Sequence, residues 1–161
     1  MPQDDKALLL RLQKHNIDLV IVGGVCAVLH GVTLVTKDRG LCCRFTVETP
    51  RRIEASVQDL HPFHRLAANK LPLELTDELC SRLKNLHLQT DIGTLDCLGE
   101  IAGVGDYDRV LQPSIPAGIP CGELRMLGLE GLMDAKQAAG RPQDLPALRQ
   151  LRATKDSPKL L

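Results

Sequence analysis

Aromatic residues are nearly missing from this sequence: Phe45, Phe63 and Tyr107 stand alone, and there is no tryptophan. A stacking platform for single-stranded nucleic acid needs several rings on one surface, so that class of function is excluded. Net charge is missing too, because 20 basic residues balance 20 acidic ones. No general attraction to nucleic acid or to an acidic membrane follows from composition. No apolar stretch approaches the roughly 20 residues of a membrane span, which predicts a soluble protein. The cysteines form no Cys-x-x-Cys pair, and no histidine sits at zinc-finger spacing from them. With no secretory signal at the start, they are expected to be reduced thiols of a cytoplasmic protein.

What is present is a chain of 161 residues, long enough for one domain with a proper core. The predicted domain covers residues 1–153, with a polar tail over 154–161. Its centre is the stretch Val22-Gly23-Gly24-Val25-Cys26-Ala27-Val28-Leu29-His30-Gly31. A β-branched run from Ile17 to Val22 drives into the glycine pair, and a short apolar segment leaves it and ends at Gly31. That order reads as strand, glycine turn, helix. Glycine lets a backbone bend sharply or approach a ligand closely, and a turn opening a helix presents N–H groups to an anion. The same pair also serves as a plain turn. His30 fits a helix C-terminus, where the dipole favours a cation, or a contact to a ligand.

Around this centre the rest of the chain alternates between helical and extended patterns. Asp4 and Asp5 open a helix closed near His15-Asn16, with Leu8, Leu9 and Leu12 on one face. Asp38 begins a second extended run, Leu41 to Phe45. Thr49 as N-cap and Pro50 in the first turn start a helix carrying Ile53, Val57 and Leu60. His61 to Arg65 reads as a surface loop, and residues 66–80 as a long connection with a short helical turn. Leu86 to Ile92 and Leu95 to Leu98 read as a hairpin turned by Gly93-Thr94. Asp96, flanked by Leu95, Cys97 and Leu98, is costly in a core unless paired or metal-bound. It faces a cleft beside Asp38, or else the open side of an edge strand. Residues 115–127 read as two short, proline-flanked edge strands. Leu129 to Ala139 is a helix whose apolar face includes Lys136, which must snorkel or meet an anion. Pro142 starts the last helix, with Leu145, Leu148 and Leu151 inside. The fold class expected is α/β (α+β): a small mixed sheet packed by helices.

The Gly23-Gly24 pair, the helix ending at His30-Gly31 and Thr36-Lys37-Asp38 together resemble the minimal nucleotidyltransferase superfamily, and within it the AbiEii-type toxin-like branch. Leu95-Asp96-Cys97 matches its third-carboxylate strand, Leu129 to Lys136 its helix with a basic residue, and Gly140-Arg141-Pro142 its closing segment. The likeness spans about residues 6–152 and rests on the order of several short motifs. It implies that Gly23 and Gly24 cradle a triphosphate, that Lys136 neutralises it, and that Asp38 and Asp96 are catalytic ligands of Mg²⁺ or Mn²⁺. It also implies a nucleoside triphosphate as substrate, an RNA or protein acceptor and a partner protein of the toxin-antitoxin kind.

The chain departs from that pattern at one position. The second carboxylate of an Asp-x-Asp motif falls at Gly40, while Arg39 points to the opposite face of a strand. Asp38 and Asp96 alone make a weakened metal site, for which Glu100 is a candidate substitute ligand. Two functions therefore stand side by side: metal-dependent nucleotidyl transfer, and a degenerate relative that binds nucleotide or a partner without catalysis.

Overall fold

The computed structural model describes residues 3–33, 39–119 and 123–156; Asp38 and Cys121 lie outside them. The chain opens with α1 (Asp5–Lys14), whose first turn is capped by the Asp4 carboxylate accepting from the Ala7 amide at 3.0 Å. Leu8, Leu9 and Leu12 are its buried side, each worth roughly 1.5–3 kcal/mol of apolar burial. Then come β1 (Leu19–Ile21), α2 (Gly24–Leu29), β2 (Gly40–Cys43) and α3 (Thr49–Val57). Glu48, not Thr49, is the N-cap of α3. The Thr49 hydroxyl instead donates to the Arg44 carbonyl at 2.7 Å and accepts from the Thr46 amide, so it ties the approach to the helix.

Beyond a short 3-10 turn, the chain forms β3 (Phe63–His64), β4 (Leu71–Pro72), α4 (Asp77–Arg82), β5 (Asn85–Thr90) and β6 (Gly93–Leu98). The expected loop at 61–65 and the long connection at 66–80 thus contain two short strands. Pro72 is tolerated because β4 is an edge strand, where a missing N–H costs no ladder bond. There follow β7 (Glu100–Ile101), β8 (Gly105–Asp106), α5 (Tyr107–Leu111), β9 (Ile115–Pro116), β10 (Arg125–Met126), α6 (Leu129–Ala139) and α7 (Leu145–Asp156). The last helix runs three residues into the tail expected from 154 onward. Leu145 is half exposed at its start, not inside, whereas Leu148 and Leu151 are buried.

The fold is mixed α/β. Its main sheet has the order β4-β3-β5-β6-β2-β1-β10-β9, and β7 pairs with β8 in a separate hairpin. β1 is central, as its apolar sequence requires. Of the two strands expected at an edge, only β9 lies there; β10 is inserted parallel to β1. One face of the sheet carries Leu19, Ile21, Leu41, Leu86, Leu88, Leu95 and Cys97, all buried. α1 and α3 pack together on this side, where Leu8 and Leu9 share a small cavity with Leu41 and Leu95. The other face divides in two. Its β1–β2 half meets α5, whereas on β5 the residues Asn85, His87 and Gln89 are exposed or half-buried between the buried Leu86, Leu88 and Thr90. Among the described residues, no helix is long and apolar enough to cross a membrane.

Candidate functional site

A cavity of about 360 Å³ opens where the end of β1, the start of β2 and the side of α6 converge. Gly23 and Gly40 form its floor, Lys136 and Arg141 reach it from the helical side, and Glu100 stands at its rim. The glycines are there because two backbones meet: the Val22 and Gly23 amides both donate to the Gly40 carbonyl, at 3.2 and 3.0 Å. The N–H of Gly23 is therefore spent on the β2 backbone. Gly24 is buried as the first residue of α2, and that helix has no side-chain cap.

Lys136 arrives on the apolar side of α6 and is only 7% exposed. Its ammonium lies 3.6 Å from the Asp144 carboxylate, which is equally buried and also accepts from Arg141 Nε at 2.7 Å. The lysine meets an anion, as its place on the helix demanded. That anion is supplied by the short 3-10 turn Pro142–Asp144 between α6 and α7.

Asp96 does not line this cavity. It pairs with Gly40 in the parallel β2–β6 ladder and with His87 in the antiparallel β5–β6 ladder. Paired positions share a face, so Gly40, Asp96 and His87 form one row across three strands. Arg65 ends the row, its amide donating to the His87 carbonyl at 3.0 Å. The Asp96 carboxylate is engaged by its neighbours: Arg65 Nη2 donates to both oxygens at 2.7 Å, Arg65 Nε to one at 3.2 Å, and His87 Nδ1 lies 3.0 Å from the same oxygen. Such a fork is the strong, geometrically selective form of a charge-assisted hydrogen bond. Arg39, between Asp38 and Gly40, reaches the opposite face and pairs with Asp5 at 3.2 Å, as strand alternation requires.

Arg65 and His87 are the site residues that sequence reasoning missed. His87 had a signal: a hairpin closing Thr90 on Gly93 places residue 87 opposite residue 96. Arg65 had none, because β3 is too short to show a period. His30 is the C-cap of α2, as anticipated, and its ring turns to the β10–α6 connection, with Nε2 2.8 Å from the Leu127 carbonyl. His61 pairs with Asp91 at 2.6 Å, and that carboxylate raises the imidazole pKa.

The described residues fit a two-metal centre poorly. Of the two aspartates the likeness assigns to metal, the described one, Asp96, is already neutralised by a guanidinium, and a divalent ion would have to displace or approach that cation. Among the described residues no group of three or more His, Cys, Asp or Glu side chains is placed to hold a metal.

A second cavity, of about 680 Å³, shares Glu100 and Ala102 with the first, so the β7–β8 hairpin separates the two. Arg44 dominates it, stacked 4.5 Å over the Tyr107 ring and paired with Asp108 at 2.9 Å. No protein-family model, curated protein or solved structure matches the chain.

Proposed function

We propose that this chain is a nucleotidyltransferase-like protein that binds a nucleoside triphosphate in the cavity beside Gly23 and does not transfer it. The observation that carries the reading is the pairing of Asp96 with Arg65 directly across from Gly40. The row in which transfer chemistry needs paired carboxylates holds a glycine and a salt bridge. What supports nucleotide in the cavity next to it is two backbones without side chains at Gly23 and Gly40 and the cations of Lys136 and Arg141, which share the Asp144 carboxylate between them.

A second reading, metal-dependent transfer to an RNA or protein acceptor with a toxin-like outcome, is favoured by one observation. Glu100 and Gly40 line the same cavity, so Glu100 can supply a carboxylate there. Both readings keep a protein partner in view, as the likeness to toxin-antitoxin components implies.

The test is a melting series with each nucleoside triphosphate, run beside a transfer assay with labelled nucleotide. Ligand binding to the native state alone raises the melting temperature by mass action. A rise without transfer is the expected outcome. Transfer that Glu100→Ala abolishes would establish the second reading, and no rise with any triphosphate would remove nucleotide from both.

A further inference from the structure

The cavity of about 680 Å³ has the size of a small-molecule site, and it gathers two of the three aromatic residues in the chain, Phe45 and Tyr107. Its charged groups divide into closed and open. Arg44, over the Tyr107 ring, is held by Asp108 at 2.9 Å and by Asp18 at 3.5 Å. Glu100 and Asp106 are paired residues of the β7–β8 hairpin. Directly opposite residues share a face with their Cβ atoms roughly 5 Å apart, and like charges so placed repel. Among the described residues the Glu100 carboxylate makes no hydrogen bond or ion pair, and the Asp106 carboxylate accepts only from the Arg109 amide, at 3.1 Å. Lys84 is the remaining charged lining residue, and its ammonium has no partner among the described residues. Two open carboxylates thus face one open cation. Tyr107 is an independent sign of a ligand. A buried tyrosine usually finds a partner for its hydroxyl. This one is 8% exposed, yet its hydroxyl makes no hydrogen bond among the described residues and is not sealed from solvent.

We propose that this second cavity binds a small organic ammonium ion with an apolar body. Glu100 and Asp106 supply the charge, the Tyr107 hydroxyl a polar contact, and Phe45 the apolar surface. An ammonium group offers three donors and no acceptor, so it relieves the repulsion between the two carboxylates and leaves a donor for the hydroxyl oxygen. A divalent ion is the poorer fit, because no third metal-ligating side chain joins the two carboxylates among the described residues. The inference does not depend on nucleotide in the cavity beside Gly23.

Tyr107 is the only tyrosine and there is no tryptophan, so intrinsic fluorescence reports on this cavity alone. Titrating the protein with cyclohexylmethylamine should change that fluorescence saturably. Cyclohexylmethanol, alike in shape but uncharged, should bind at least tenfold more weakly. Glu100→Gln combined with Asp106→Asn should weaken the amine at least tenfold, and asparagine keeps the N-cap of α5, so the fold is preserved. Tyr107→Phe lacks the fluorophore and is followed by the rise in melting temperature with amine, which should shrink. Lys84→Gln removes the opposing charge and should tighten the complex. The inference is overturned by an absent saturable response to the amine, by equal binding of the alcohol, or by unchanged affinity in the double variant. A response to Mg²⁺ or Ca²⁺ that the amine does not give would overturn it in favour of a metal.

Discussion

Two buried ion pairs decide what the individual residues of this protein can do, and they differ in what they leave open. Asp96 is gripped by a partly exposed Arg65, whereas Lys136 and Asp144 are each about 7% exposed. Taking two charges out of water is expensive, and breaking such a pair from one side strands the other charge. Asp144→Ala should therefore cost about 3–5 kcal/mol, read from urea unfolding, because Lys136 then sits uncompensated inside the apolar side of α6. Lys136→Met in the same background should recover most of that loss. A cost below about 1 kcal/mol for Asp144→Ala would mean that Lys136 reaches solvent with ease. Both pairs show how far single residues are legible in a sequence. The need of Asp96 and Lys136 for a partner follows from their apolar flanks, but the partners lie on other elements, at Arg65, His87 and Asp144, and only the fold brings them in.

Among the elements, the legible ones are those long enough to show a period. α1, α3 and α6 stand where their patterns put them, and so does the β5–β6 hairpin except for its turn, which is Asp91-Ile92: Gly93 and Thr94, expected to make it, pair with Thr90 and Gln89 as the start of β6. β3, β4, β9 and β10 span two residues each; a strand that short has no alternation to read, and its existence depends on the neighbour it pairs with. The β7–β8 hairpin belongs to the same group, yet it walls both cavities. Its turn is fixed by Gly103, which has φ +81° and packs so closely that an added Cβ would lie 2.7 Å from the Ala138 Cβ and the Asp134 carbonyl oxygen. Gly103→Ala should cost about 1–2 kcal/mol for the left-handed backbone and a further 1–3 kcal/mol or so for the forced contact. Urea unfolding measures the loss; an unchanged midpoint would show that the hairpin is free to lift off α6.

A pH effect belongs to the same scale. His61 enters β3 with φ +52° and pairs with Asp91 in the turn of the β5–β6 hairpin. Its folded pKa is raised, so the contribution is fully present below the unfolded value of about 6.5 and is lost as pH rises through the folded value. The melting temperature of the natural protein should thus fall slightly between about pH 6 and pH 9 relative to Asp91→Asn, in which the step is absent. An identical profile for the two proteins would remove the pair from the stability of β3.

At the scale of the whole molecule, the cysteines report on the core. Cys26, Cys42, Cys43, Cys80 and Cys97 are all buried free thiols, contributed by α2, β2, α4 and β6, and their small apolar side chains suit a tightly packed interior. Burial pushes the Cys26 and Cys42 thiols up to about 12. Cys43 is raised as well, by its hydrogen bond with Cys97 and by burial. The reactive form of a cysteine is the thiolate. At pH 8 a thiol with pKa near 12 is ionised to about one part in 10,000, so burial and ionisation both suppress reaction. In a Cys121→Ser variant, a thiol reagent should therefore modify these five residues only as fast as the molecule opens, and the Cys26, Cys42, Cys43 and Cys97 rates should converge as urea is raised. Cys80, on the short α4 whose main packing partner is α3, should react first. Rapid modification of Cys43 or Cys97 in native buffer would mean that β2 and β6 separate without global unfolding. The row from Gly40 to Arg65, which crosses those two strands, would then be a moving part rather than a fixed one.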